Sequence, residues 1–248
     1  ATKGNTTWTY TYNADGLRTG KTNGTTTYTY TWNENRQLSS MTWNTGYALF
    51  YYDADGIPYA VQNYDAILDV ERTYLYVTNL QGDVLSIIDA SSGATAVTYT
   101  YDAWGRLVGK DGTSSDYASI YEYNPLTYRG YIYDSETGFY YLQSRYYDPT
   151  IGRFLNADDI QYLGASGTLL SLNLFVYCEN DPDNLVDSTG TSIAVAQPVL
   201  YSFLAWLGTL GASNFWNPIG WIIAAVVAAG VITWVAMSLY KKWEASAA

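Results

Sequence analysis

YRGYIYDSETGFYYLQSRYYDPTIGRFLNADD, residues 128–159, and NLFVYCENDPDNLVDSTG, residues 173–190, form the most densely patterned stretch of the chain. Tyr131-Ile132-Tyr133 and Phe139-Tyr140-Tyr141-Leu142 are aromatic, β-prone runs. The separator Asp134-Ser135-Glu136-Thr137-Gly138 ends in the residue that enters a left-handed turn most easily. Arg145-Tyr146-Tyr147 extends a further strand to Asp148-Pro149, where proline removes a ladder donor and forces a turn. Gly152-Arg153-Phe154-Leu155 opens the next strand, so the pattern predicts a β-meander closed by turns.

Upstream, one shorter phrase recurs. Tyr12-Asn13-Ala14-Asp15-Gly16, Tyr52-Asp53-Ala54-Asp55-Gly56 and Tyr101-Asp102-Ala103-Trp104-Gly105 are versions of it; Trp32-Asn33-Glu34-Asn35-Arg36 is a fourth that has lost its glycine. Tyrosine closes a strand, Asp or Asn starts the turn through its side chain, and Gly takes the left-handed position. Between phrases the alternation is strict: Trp8-Thr9-Tyr10-Thr11-Tyr12 and Thr27-Tyr28-Thr29-Tyr30-Thr31-Trp32 place aromatics on one strand face and threonines on the other. The segment from Ile67 to Val97 carries two turns, at Gln81-Gly82-Asp83 and Ser91-Ser92-Gly93, between three strands; 111–117 reads as a plain loop. A lone hairpin cannot bury its aromatic face, so neighbours must stack into a long antiparallel sheet, which twist drives to curl or close.

These motifs, from Tyr128-Arg129-Gly130-Tyr131 through Arg145-Tyr146-Tyr147-Asp148-Pro149 to Gly152-Arg153-Phe154-Leu155 and Asp158, resemble the core domain of RHS/YD-repeat proteins. The resemblance covers the core fully and, through the weaker repeats, about the first three quarters of the chain. It implies a mainly β fold, with antiparallel β-hairpin repeats forming part of a curled β-shell around the C-terminal part of the polypeptide. The expected organisation is repeats over 1–125, the RHS core over 126–190 and an apolar tail over 191–248. The family's core often ends in Asp-Pro-x-Gly, near which some members cut themselves with aspartates. Here the match is Asp187-Ser188-Thr189-Gly190, with serine for proline and Thr191 in place of an apolar residue. Asp187 and Asp158 are the self-cleavage candidates by position, beside a purely structural end to the core.

Composition narrows the chemistry. The 248 residues include 27 Tyr and 9 Trp against 6 Phe, a bias toward aromatics with a polar handle, suited to faces apolar on one side and wet on the other. With no histidine, triads and His-ligated zinc are excluded. Cys178 is alone in a strand-like run and is expected to be buried and inert, with no disulfide framework. The remaining carboxylates fall mostly in turns and lack a calcium-loop pattern, so no metal or other cofactor is expected. The net charge of −11 argues against nucleic acid as a partner. The N-terminus has no signal-peptide pattern and opens in mid-strand rhythm without Met, as a piece of a longer chain would.

Beyond Gly190 the composition changes: residues 188–240 contain no Asp, Glu, Lys or Arg. Residues 219–240 are apolar nearly throughout and long enough to cross a bilayer as a helix. The expected membrane-inserting residues are Trp221, Ile222, Val226, Val227, Val231 and Trp234, with Lys241 and Lys242 as interfacial anchors. A first apolar segment over 193–210 would complete a C-terminal α-helical hairpin. The alternative is an apolar helix held inside the shell. Together with the resemblance, these features imply a secreted or cell-surface polymorphic-toxin-like protein whose tail meets membrane lipid, with an immunity protein as a further partner. A structural or adhesive surface protein anchored by its C-terminal helix, with cell-surface carbohydrate stacking on its aromatics, is the competing expectation.

Overall fold

The computed structural model describes residues 1–195 except 4, 5, 113, 114, 165, 166, 192 and 193. The expected helical hairpin and the span 219–240 lie outside the described residues. Among those described, no helix is long and apolar enough to cross a membrane.

A short ribbon, β1 (Thr2–Lys3) with β2 (Thr6–Thr7), precedes the main sheet. Ten strands then pair antiparallel in chain order. They are β3 (Thr9–Tyr12), β4 (Arg18–Thr22), β5 (Thr27–Trp32), β6 (Leu38–Trp43) and β7 (Gly46–Tyr52), then β8 (Pro58–Asp65), β9 (Val70–Thr78), β10 (Val84–Asp89), β11 (Thr95–Tyr101) and β12 (Leu107–Gly112). The expected meander of hairpins is therefore present. The expected curled shell is not: β3 and β12 end the strand order without pairing to each other, and the sheet is open and uncurled, ten strands being too few to bring its edges together.

The recurring phrase makes its turn as its chemistry predicts. Asn13 Oδ1 accepts the amides of Asp15 and Leu17, and Asp53 Oδ1 those of Asp55 and Ile57. Asp102 does the same for Trp104 and Arg106, and Asn79 for Gln81 and Asp83. Each of these turns carries a left-handed glycine, and where glycine is lost Arg36 takes the position at φ 61°. A bulge follows at the neighbouring strand end, between Thr11 and Tyr12, Thr31 and Trp32, Tyr51 and Tyr52, and Thr100 and Tyr101. The extra residue adds twist where the chain reverses.

Threonines of β5 face solvent while Tyr30 is buried on the opposite face. The same inner face carries Met41, Trp43, Phe50, Val61, Tyr74 and Ile87. A second layer covers it. Helix α1 (Ala118–Tyr123) stacks Tyr123 on Trp43, with ring centroids 4.5 Å apart. After it comes a four-stranded sheet in chain order: β13 (Ile132–Asp134), β14 (Phe139–Leu142), β15 (Arg145–Asp148) and β16 (Arg153–Phe154). Ile132 and Tyr141 join the main core, while Tyr128, Tyr131, Tyr140, Tyr147, Phe154 and Tyr177 form a second one.

Two local expectations need correction. Asp111 and Gly112 belong to β12, where they pair with Thr98 and Val97, and Ser115–Tyr117 forms a 3-10 turn that leads into α1 rather than plain loop. Cys178 is buried as expected but not in a strand. Cys178, Glu179 and Asn180 form a turn at φ 47°, 48° and 63°, a left-handed run that L residues adopt only when surrounding contacts hold it.

Candidate functional site

Three buried arginines hold the second layer to the rest. Arg18, on β4, is fully buried and donates from Nη1 to Asp134 Oδ1 at 2.7 Å. The Tyr141 ring lies 4.2 Å from its guanidinium carbon, with Tyr10 and Tyr30 each at 5.3 Å. Lys21, further along β4, reaches Asp134 at 3.2 Å and Glu136 at 2.9 Å. The separator between the first two core strands is thus an ion-paired hairpin tip as well as a turn. Arg129, at φ 55°, donates its amide to Asp83 Oδ1 at 3.0 Å, its Nη1 to the Gln81 carbonyl and its Nη2 to the Pro182 carbonyl.

The third arginine organises the end of the core. Arg145 Nη2 lies 2.9 Å from Asp187 Oδ2 and 2.9 Å from Asp158 Oδ2. Its Nη1 donates to the Leu174 carbonyl at 3.1 Å and its Nε to the Gly190 carbonyl. The Phe154 ring sits 3.5 Å beneath it. Asp187 Oδ1 accepts the amides of Gly190 at 2.7 Å and Thr191 at 3.1 Å. Ser144 Oγ donates to the Thr189 carbonyl at 2.7 Å. Gly190 stands at φ 76°, and a Cβ there would meet Ser144 Oγ at 2.6 Å and the Leu142 carbonyl at 2.8 Å. Only glycine fits this turn.

The two aspartates singled out by position are therefore brought together, but on a shared cation. Burial pushes the Asp158 carboxyl up, with Arg145 opposing; burial pulls Arg145 down, with both aspartates opposing. An aspartyl dyad works by sharing one proton between two carboxylates. Here a guanidinium stands between the two carboxylates, in the place where a dyad would share that proton. Close by, burial pushes the Cys178 thiol up to about 12, which leaves it a neutral apolar filler rather than a nucleophile. Among the described residues no group of His, Cys, Asp or Glu is placed to hold a metal ion.

The arginines were the residues missed in the sequence. Their signal is sparse cations inside aromatic strands: Arg145 precedes Tyr146-Tyr147, and Arg18 follows a YD-type turn. The membrane-inserting candidates Trp221, Ile222, Val226, Val227, Val231, Trp234, Lys241 and Lys242 lie outside the described residues.

A sheet of tyrosine–Asx turns, lidded by a tyrosine-rich meander that buried arginines fasten to it, defines a YD-type β-layer with its closing core. Residues 69–183 match the model of the Teneurin YD-shell family. Among curated proteins, the tRNA3(Ser)-specific nuclease WapA of Bacillus spizizenii is 41% identical over 119 residues, which cover 48% of this chain and 5% of that one. Among solved structures, the TcdB2-TccC3-Cdc42 crystal structure aligns with a TM-score of 0.58 at 23% identity, over 74% of this chain and 9% of that one. The Photorhabdus luminescens Tc holotoxin pore aligns with a TM-score of 0.57 at 21% identity, over 79% and 9%. These matches support an RHS/YD-repeat pattern in this chain, carried by residues 69–183. The chain spans 5% of the length of that WapA nuclease and 9% of each of the two solved chains.

Proposed function

We propose that this chain is the closing part of an RHS polymorphic-toxin-like protein. In this reading 1–125 are hairpin repeats of an open β-wall, 126–190 the core that covers it, and 191–248 a membrane-inserting segment that stays joined to the core uncut. The observation that carries it is the Arg145 clamp, which ties Asp158, Asp187 and the Gly190 carbonyl at the boundary where the charge-free tail begins. The relatives support the toxin class: the names of two of them describe a tRNA nuclease and a toxin pore. The tail of this chain differs in kind from a nuclease, being apolar and uncharged over 188–240. Lipid is then its target, an immunity protein its neutralising partner, and secretion or surface display its route.

Dye release from liposomes by the full chain tests the reading. Val227→Asp with Val231→Asp places two carboxylates at mid-helix, each costing about 2.5–3.5 kcal/mol at the bilayer centre. Leakage by the native chain that the double change abolishes is expected. Leakage that survives it, or its absence with the native chain, contradicts a membrane-inserting tail.

A further inference from the structure

Between the sheet's inner face and the core lies a cavity of about 270 Å³, remote from the Arg145 clamp in its lining. Tyr28, Tyr30, Tyr99, Tyr123 and Tyr133 wall it. Asn124 fixes part of this wall: its Nδ2 donates to the Tyr99 hydroxyl at 3.1 Å and the Leu126 carbonyl at 2.7 Å, and its Oδ1 accepts from Tyr76 at 2.6 Å. The walls are thus pre-set π faces rather than side chains free to collapse inward.

Two lysines border the space, and they differ. Lys21 is already neutralised by Glu136 at 2.9 Å and Asp134 at 3.2 Å. Lys110, half-buried on β12, has no carboxylate at ion-pair distance among the described residues. Its ammonium rests on the Tyr121 ring, 4.3 Å from the centroid, and 6.0 Å from that of Tyr99. Burial pulls its pKa down, the direction expected of a cation short of a counter-charge, and Glu122 opposes that pull. Glu122, exposed at the rim, sets a limit of its own, since its charge disfavours a guest carrying more than one negative charge.

We propose that this cavity binds a small aromatic monocarboxylate, its ring between the tyrosine walls and its carboxylate on Lys110 Nζ. The volume falls just below the range of pockets that take drug-sized ligands, which matches a single ring. An uncharged ring would leave the Lys110 ammonium desolvated and unpaired, and an aliphatic acid would leave the π faces unfilled.

The test is calorimetric titration of the full chain with sodium benzoate, benzyl alcohol and sodium acetate. Benzoate is expected to bind at least about tenfold more tightly than either control, which share only its ring or only its charge. Lys110→Met should weaken benzoate by at least about tenfold, whereas Lys110→Arg, which keeps the charge, should retain it within about threefold. Circular dichroism checks that each variant folds, and the benzoate-to-benzyl-alcohol ratio on the native chain decides the question even if Lys110→Met does not. Equal binding of benzoate and benzyl alcohol, no benzoate binding, or unchanged affinity in a folded Lys110→Met chain would overturn the proposal.

Discussion

At Asn13, Asp53, Asn79 and Asp102, one side-chain oxygen accepts the two amides that the tight turn leaves without a strand partner. That chemistry is local, which is why the phrase is readable from the order of its residues. What the phrase costs when altered depends on its surroundings. Gly105 stands at φ 82°, and a Cβ there would sit 2.4 Å from the Tyr128 ring; Gly93, at φ 71°, has nothing within 4 Å. Gly93→Ala should cost about 1 kcal/mol in urea unfolding from backbone strain alone. Gly105→Ala should cost distinctly more, because Tyr128 must leave its place in the second core; equal costs would argue against that packing. The degenerate phrase gives the converse case. Arg36 holds a left-handed conformation with an exposed side chain bonded to Gln143, so Arg36→Gly should raise stability by about 1 kcal/mol. A loss would mean that the Gln143 contact outweighs the strain. Cys178 lay beyond such reading, since the left-handed run of Cys178 to Asn180 is imposed by tertiary contacts that its neighbours in sequence do not announce.

Strand alternation placed the repeats and the meander correctly, because an aromatic face opposite a threonine face has one solution in a sheet. Helix α1 was not legible. Its sequence ASIYEY is short and rich in β-prone tyrosine, and it is helical where Tyr123 stacks on Trp43, a residue distant in the chain. The ion-paired fastening of hairpin tip to sheet was also hidden. Asp134 read as a turn residue, yet it is fully buried against Arg18. Asp134→Asn should cost about 3–5 kcal/mol, the range for stranding one partner of a buried pair. A chemical denaturation midpoint within error of the native chain would show that Lys21 and the tyrosines suffice to hold the tip. The β10–β11 turn has its own pH signature. Asp89 accepts Ser91 Oγ at 2.6 Å and the amides of Ser91 and Ser92 at 2.8 and 3.1 Å, and the Ser91 hydroxyl leads in holding its pKa below the ordinary carboxylate value. A depressed folded pKa contributes stability that is present above the unfolded value of about 3.9 and is lost as pH falls through the folded one. Asp89→Asn should therefore lower the urea midpoint at neutral pH, and the gap from the native chain should narrow below about pH 4. A gap that stays constant would place the effect elsewhere than the carboxylate charge.

For the whole molecule, the proposed order of parts along the chain is repeats, core, boundary turn and apolar tail. The sequence suggests a boundary at Asp187 to Gly190, and Asp158 is drawn to it by its place in the motif. What could not be read was the cation between them: Arg145 is distant from both in sequence, and its role follows from how β15 is buried. The proposal that the tail stays joined to the core uncut rests on that cation, which stands 2.9 Å from both carboxylates. The intact mass of the purified full chain, followed over days at pH 5 and pH 7, tests this most directly. A single species of 27.6 kDa that persists at both pH values is the expected result. Conversion into two fragments parted next to Gly190, abolished by Asp187→Asn, would make the boundary a self-cleaving site and contradict the clamp.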